Sequence, residues 1–281
     1  MRLFLLTFLT MAAFAANSLL NRVAVDSGGM DPASFAALRV LAGAVVLVGL
    51  VWARGRTVPL WRTRRVVGAG SLAVYMIGFS AAYLTLDAGL GALILFGIVQ
   101  ITIFALATFR GMPPRPGQVF GSLIAFDGLV WVLWPTGDIQ ADPMGILFMG
   151  AAGVGWAVYT LAGRSEPDAL AGTAANFCMA LPWVLLVFLF LGRPAPVQPS
   201  GVMLAIISGA VTSGLGYALW YSIVGRFSPA MVAVVQLAAP VLALIGGVVL
   251  LDETATLRLA LGAALVLGGI VLSAPRGAVV K

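Results

Sequence analysis

The sequence predicts an all-α integral membrane protein of ten transmembrane helices built as two inverted five-helix repeats, and three observations carry that reading. Apolar residues make up 61% of the 281 positions and charged residues 9%, against about 25% charged in an ordinary soluble domain. The apolar residues fall into ten runs, near the length of about 20 residues that crosses a bilayer as a helix. The two halves of the chain also share an ordered series of residue matches. Turned toward water, a chain of mean hydropathy +1.07 would aggregate, so its solvent is lipid.

The ten spans run Leu3 to Val25, Ala33 to Ala53, Val66 to Leu86, Gly89 to Phe109, Gly117 to Trp134, Met144 to Leu161, Ala171 to Leu191, Val202 to Val224, Ala230 to Leu251 and Leu257 to Ser273. Short proline, glycine or charged punctuation separates them. The longest break, Arg54 to Arg65, has room for 12 residues, too few for a soluble catalytic or nucleotide-binding domain. Cytoplasmic loops retain Lys and Arg, and this fixes the expected orientation. With the amino terminus inside, the inner segments hold Arg2, Arg54, Arg56, Arg62, Arg64, Arg65, Arg110, Arg115, Arg164, Arg226, Arg276 and Lys281. The outer ones hold only Arg22, Arg193 and Arg258, together with most of the acids. Both termini are therefore expected in the cytoplasm. The net charge of +6 and pI near 10.2 reflect loops beside anionic lipid, with no nucleic-acid partner implied. Met1 to Ala16, with its basic start and Ala13-Phe14-Ala15 triplet, also resembles a secretory signal. The repeat needs this helix, so it is expected to stay.

The residue inventory removes whole classes of chemistry. There is no His, one Cys (Cys178) and one Lys, the final Lys281. Histidine-ligated metals, Cys-His nucleophiles, Walker lysines and Schiff-base lysines are absent, and neither metal nor cofactor is expected. Cys178 reads as a small buried hydrophobe.

The repeat appears as matched residues in order. Phe14-Ala15-Ala16-Asn17-Ser18-Leu19-Leu20-Asn21-Arg22 lines up with Trp156-Ala157-Val158-Tyr159-Thr160-Leu161-Ala162-Gly163-Arg164. Gly78 and Gln100 match Gly214 and Gln236, and Gly121 and Gly128 match Gly262 and Gly269. The expected units are 1–135 and 136–281, with five helices each. Five is odd, so the copies insert in opposite orientations, the arrangement that lets a midplane site open to either side in turn.

Phe14 to Asn17 followed by Arg22, Asp31-Pro32, Leu38-Arg39-Val40, the Pro240 stretch Gln236 to Val241, and Leu250-Leu251-Asp252-Glu253 together resemble the drug/metabolite transporter superfamily, in its ten-helix EamA-type branch. The similarity spans nearly the whole chain. Within that branch the chain looks most like the YddG-type exporters of aromatic amino acids. The resemblance implies a multi-pass protein of the bacterial inner membrane, a small-molecule substrate and no catalytic activity. Two positions depart from the family pattern, which has Trp-Gly where Phe14-Ala15 stand and Gly where Asp252 stands. The first helix lacks a carboxylate, so the cation efflux of four-helix relatives is disfavoured.

Polar groups in a bilayer core are costly unless they face the bundle interior or a wet path, so they mark candidate sites. Gln100 and its repeat mate Gln236 offer amides that either grip a zwitterion or pin helix packing. Pro240 removes the usual helical donor to the Gln236 carbonyl. Tyr75, Phe79 and Tyr83 line one face of the third helix, while Tyr217, Trp220 and Tyr221 occupy adjoining faces of the eighth. Such rings stack an apolar side chain or else form an interface belt. Asn17 and Tyr83 are expected toward the outside, and Trp156, Tyr159, Tyr217 and Trp220 toward the cytoplasm, as two gates. Asp127, central in the fifth helix, reads as a buried structural Asp or as a proton carrier. Arg39 reads as a snorkelling or capping side chain, or as a carboxylate ligand.

The expected function is export of small amphipathic metabolites, aromatic or other hydrophobic amino acids first, by alternating access around a central cavity. Rivals are a carrier for a nucleobase, sugar or drug, and a membrane-embedded lipid-modifying enzyme. The protein is expected as a monomer among membrane lipid.

Overall fold

The computed structural model describes residues 1–26, 30–82, 85–86, 88–134, 142–191, 198–250 and 256–274. These form ten helices: α1 (Arg2–Asp26), α2 (Pro32–Ala53), α3 (Thr63–Ala82), α4 (Ala88–Phe109), α5 (Pro116–Leu133), α6 (Pro143–Gly163), α7 (Ala169–Leu191), α8 (Pro199–Val224), α9 (Pro229–Leu250) and α10 (Leu257–Ser273). Among the described residues nine are long and apolar enough to cross a bilayer, and α10 is a shorter apolar helix. Large apolar side chains such as Val45, Phe120, Leu147, Val249 and Val271 stay exposed on the outer faces, as a lipid-facing surface requires.

Local chemistry sets the helix ends. The Asp31 carboxylate accepts from the Ala33 and Ser34 N–H groups at 3.0 and 3.1 Å, ahead of Pro32 in the first helical position of α2. Asp142 does the same for α6, accepting from the Gly145 N–H at 2.8 Å and from the Thr85 hydroxyl at 2.9 Å. Those two donors, Gly145 first, hold its carboxyl below the usual carboxylate range. Ser228 and Thr256 cap α9 and α10 at 3.2 and 3.1 Å. At the other end of α2, Gly55 takes φ +64° while its N–H reaches the Trp52 carbonyl and the Arg56 N–H reaches that of Val51. Gly111 repeats this stop after α4 with φ +71°, both with the left-handed residue that favours glycine.

Two helices depart from a plain α pattern. Ser208–Leu215 in α8 is π-helical. In α9 the α-helix stops after Val235 and resumes at Ala238. As Pro240 predicts, the Gln236 carbonyl lacks its ordinary donor, and it accepts from the Ala239 N–H at 3.1 Å instead.

The packing is symmetric under exchange of the halves. α3 lies on α6 as α1 lies on α8; α4 on α6 as α1 on α9; α2 on α8 as α7 on α3; and α2 meets α7, α4 meets α9 and α5 meets α10. The last pair runs antiparallel. A Cβ on Gly121 would stand 2.6 Å from the Gly269 carbonyl oxygen, and one on Gly128 would stand 2.9 Å from that of Gly262. The matched glycines therefore cross, each meeting its mate's partner. At the far end of this pair Arg258 donates to the Trp131 and Trp134 carbonyls at 2.6 and 2.7 Å, closing the last turn of α5. Equivalent helices running in opposite directions are what inversion of one half relative to the other requires.

Cross-contacts also sort the loops. Arg65 Nη2 donates to Glu166 Oε1 at 3.0 Å, with both side chains almost fully buried, and Arg56 pairs with Asp168 at 3.0 Å nearer the surface. Gln118 reaches Ser228 at 3.2 Å, and Gly225 packs on the Arg164 carbonyl. The segments after α2, α4, α6 and α8 thus share one face, where most of the arginines gather.

Gly121→Val is expected to destabilise the protein by about 1–3 kcal/mol through overpacking, whereas Gly268→Ala, a position with open space, should leave thermal unfolding in detergent unchanged. Arg65→Met removes the buried guanidinium that Glu166 pairs with and should cost about 3–5 kcal/mol, most of which Arg65→Met combined with Glu166→Met should restore in the same assay.

Candidate substrate site at the bundle centre

Aromatic rings fill the centre where the halves meet. Phe14 of α1 makes edge contacts with Trp156, Tyr217 and Trp220 at centroid distances of 5.4, 5.6 and 6.0 Å. Trp156 also touches Tyr75 of α3 at 4.8 Å, Tyr217 at 4.9 Å and Tyr159 at 5.6 Å. Tyr159 lies 4.8 Å from Tyr221, and Phe177 of α7 lies 5.9 Å from Tyr217. Phe14 and Trp156 are repeat mates, so their contact places them near the axis relating the halves. Tilted and edge arrangements of this kind suit the ring quadrupoles, and they offer an apolar guest the same faces.

Each expected site residue can now be located. Asn17 is buried on α1, where its Oδ1 accepts from the hydroxyls of Ser208, Thr212 at 3.2 Å and Ser213 at 3.2 Å. Trp156 is buried on α6, and its indole N–H donates to Gln236 Oε1 at 2.6 Å. The Gln236 amide nitrogen donates to the Val232 carbonyl at 3.0 Å. Gln100 is buried on α4, yet its Oε1 has no hydrogen-bond partner among the described residues. The two amides are not bonded to each other. Tyr159 and Trp220 are fully buried, and neither the Tyr159 hydroxyl nor the Trp220 indole N–H has a partner among the described residues. Trp220 stacks on Phe227, between α8 and α9, at 6.4 Å, and its full burial keeps it from facing lipid as an interface belt would. Tyr83 lies outside the described residues.

The structure corrects one expectation. Asp127 is neither buried nor central to the path. It is exposed on the outer face of α5, in the same stripe as exposed Phe120, Leu123 and Trp131, because the glycines of α5 claim the opposite face for α10. Tyr83, the ring expected at the outer gate, lies outside the described residues. Phe14, one turn before Asn17, touches Trp156, Tyr217 and Trp220 directly, so these form one cluster.

Sequence reasoning missed several contributors. Ser208, Thr212 and Ser213 converge on Asn17 because the wider π turn brings i, i+4 and i+5 to one side. A run of small polar residues carried no pattern announcing this. Asn176 donates to the Tyr221 hydroxyl at 3.4 Å, and that hydroxyl donates to the Tyr159 carbonyl at 2.8 Å. Phe14 was legible only as a family motif residue.

An EamA-like transporter family model matches residues 143–274, the second half of the chain. A protein of Pseudomonas aeruginosa is 43% identical over 98% of this chain and 96% of its own length, carrying the similarity across both halves. The chain belongs to the EamA-like transporter family. Another relative of this EamA-like transporter, 28% identical over 92% of the chain and 94% of its own length, is the aromatic amino acid exporter YddG of Ancylobacter novellus. An uncharacterised transporter of Archaeoglobus fulgidus is 27% identical over 86% of the chain and 88% of its length. A solved crystal structure at 23% identity shares the fold with TM-score 0.82 over 97% of both chains.

Trp156→Phe keeps most of the ring and strands Gln236 Oε1. A loss of about 1–3 kcal/mol is expected in thermal unfolding.

Proposed function

We propose that this EamA-like transporter exports small amphipathic metabolites, with aromatic and other hydrophobic amino acids as its main cargo. It works by alternating access between units 1–135 and 136–281. The observation that carries the reading is the aromatic cluster at the junction of the halves, bordered by the Gln236 amide. An aromatic side chain stacks among Phe14, Tyr75, Trp156, Tyr217 and Trp220. The Gln100 carbonyl oxygen, buried without a donor, accepts from the cargo ammonium. Its mate Gln236 already accepts from Trp156, whereas Phe14, the mate of Trp156, has no N–H to offer Gln100. The similarity to an exporter named for aromatic amino acids supports the same cargo.

The Arg-rich face faces the cytoplasm of an inner-membrane protein with both termini inside. There Arg56 after α2 and Arg65 at the start of α3 pair with Asp168 and Glu166 after α6, ties that part when the site opens on that side. The protein acts as a carrier and not as an enzyme.

Counterflow in proteoliposomes tests this directly. Labelled L-phenylalanine and L-tryptophan should exchange, while uracil and glucose should not. Exchange of uracil or glucose alone would move the assignment to another cargo, and no exchange of any of these would remove it. Tyr217→Ala and Trp220→Ala should each lower amino-acid exchange at least about tenfold, from lost stacking of about 1.5 kcal/mol. Asp127→Asn should leave uphill export intact, since Asp127 faces away from the path.

A further inference from the structure

Arg39 is 2% exposed, inside a membrane-spanning bundle, and no acid among the described residues neutralises it. Its Nε donates to the Ser213 hydroxyl at 2.6 Å and its Nη2 to the Tyr217 hydroxyl at 2.6 Å, both on α8 and both uncharged. Tyr75 stands beside the guanidinium. Each acid among the described side chains is engaged or placed elsewhere. Asp31 and Asp142 cap helices, Glu166 and Asp168 pair with Arg65 and Arg56, and Asp127 is on the outer face. Arg39 therefore does not snorkel to an interface and does not cap carbonyls.

A cation held in a low-dielectric interior without a counter-charge is costly. The fold nonetheless builds for it. A Cβ on Gly209 would stand 2.8 Å from the Arg39 carbonyl carbon, so α2 and α8 touch backbone to backbone where the guanidinium crosses. The position also adjoins the aromatic cluster, most closely through Tyr217. The Tyr217 hydroxyl meets Arg39 while its ring lies 4.9 Å from Trp156 and 5.6 Å from Phe14.

We propose that Arg39 is the seat of the cargo's carboxylate, so that the transporter selects small monocarboxylates whose apolar end lies in the aromatic cluster. This rests on the amino-acid reading above and adds its anionic half. A guanidinium carries five donors in a planar fork. With hydroxyls on Nε and Nη2, enough donors remain for a carboxylate to bind. An incoming carboxylate competes for Arg39 with Ser213, whose hydroxyl also donates to Asn17 Oδ1 at 3.2 Å. Cargo binding and loosening of the α1–α2–α8 tie are thus one event.

The test compares thermal stabilisation of the detergent-purified protein by L-phenylalanine, 3-phenylpropionate, which lacks the ammonium, and phenethylamine, which lacks the carboxylate. The wild type should bind both carboxylates at least about tenfold more tightly than phenethylamine, the range of a charged hydrogen bond. Arg39→Gln, checked for monodispersity, should weaken both carboxylates at least about tenfold and leave phenethylamine unchanged, and Arg39→Lys should keep part of the preference. A folded Arg39→Gln protein that binds all three as the wild type does, or loses all three alike, overturns the proposal. Where Arg39→Gln does not fold, the wild type decides, and phenethylamine bound as tightly as L-phenylalanine overturns it. Exchange of L-phenylalanine without any carboxylate preference removes the role of Arg39 and leaves the proposed function standing. Absence of amino-acid exchange removes both.

Discussion

In hydrocarbon a polar side chain can bond only to other groups of the same chain, and the centre of this protein is organised by that restriction. Asn17 gathers three hydroxyls of α8, Arg39 donates to one of them, Ser213, and to the Tyr217 hydroxyl, and Gln236 is held by an indole N–H on one side and a backbone carbonyl on the other. The bonds of Asn17 and Arg39 run between the halves, and that of Trp156 with Gln236 links two helices of the second half. They join α1 and α2 to α8, and α6 to α9, where no hydrophobic effect would distinguish helix from lipid. Among the described residues, Gln100 Oε1, the Tyr159 hydroxyl and the Trp220 indole are left without a partner, the last two within the aromatic cluster. A transporter needs such groups, since a path fully satisfied in the absence of cargo offers cargo nothing.

The two halves are alike in packing and unlike in chemistry. The main helix contacts have counterparts with the halves exchanged, and the paired glycines of α5 and α10 meet crosswise. Yet Phe14 stands opposite Trp156, Asn17 corresponds to Tyr159, and α8 carries a π segment that its mate α3 lacks. Symmetry supplies two related ways of closing a common site, and the substitutions at its centre make the two ends of that site chemically different. Apolar rings lie on one side of Tyr217 and a cation lies on the other.

Much of the fold was legible because membrane helices obey length and composition. Asp31-Pro32, Asp142 and Arg54-Gly55 mark real ends, and Pro240 marks a real break in α9. The site was legible only in part. Trp156, Tyr217 and Trp220 meet as large aromatics would, but periodicity treats a span's faces as equal, and so Asp127 looked central when it points outward. Helical spacing also gave Ser208, Thr212 and Ser213 no common face, because three residues align on one side only once the turn widens beyond the α-helical pitch.

Composition, parity and charge placement were enough to determine a ten-span protein with two opposed halves, since these depend on the bilayer and on each segment by itself. Which face of each helix turns inward depends on its neighbours, through glycine contacts that set how closely two backbones approach. Only the tertiary structure could decide that Arg39 is enclosed instead of reaching an interface, and that Gln100 keeps an open acceptor while Gln236 does not. Both are properties of pairs of residues far apart in the chain, brought within hydrogen-bonding distance by packing alone.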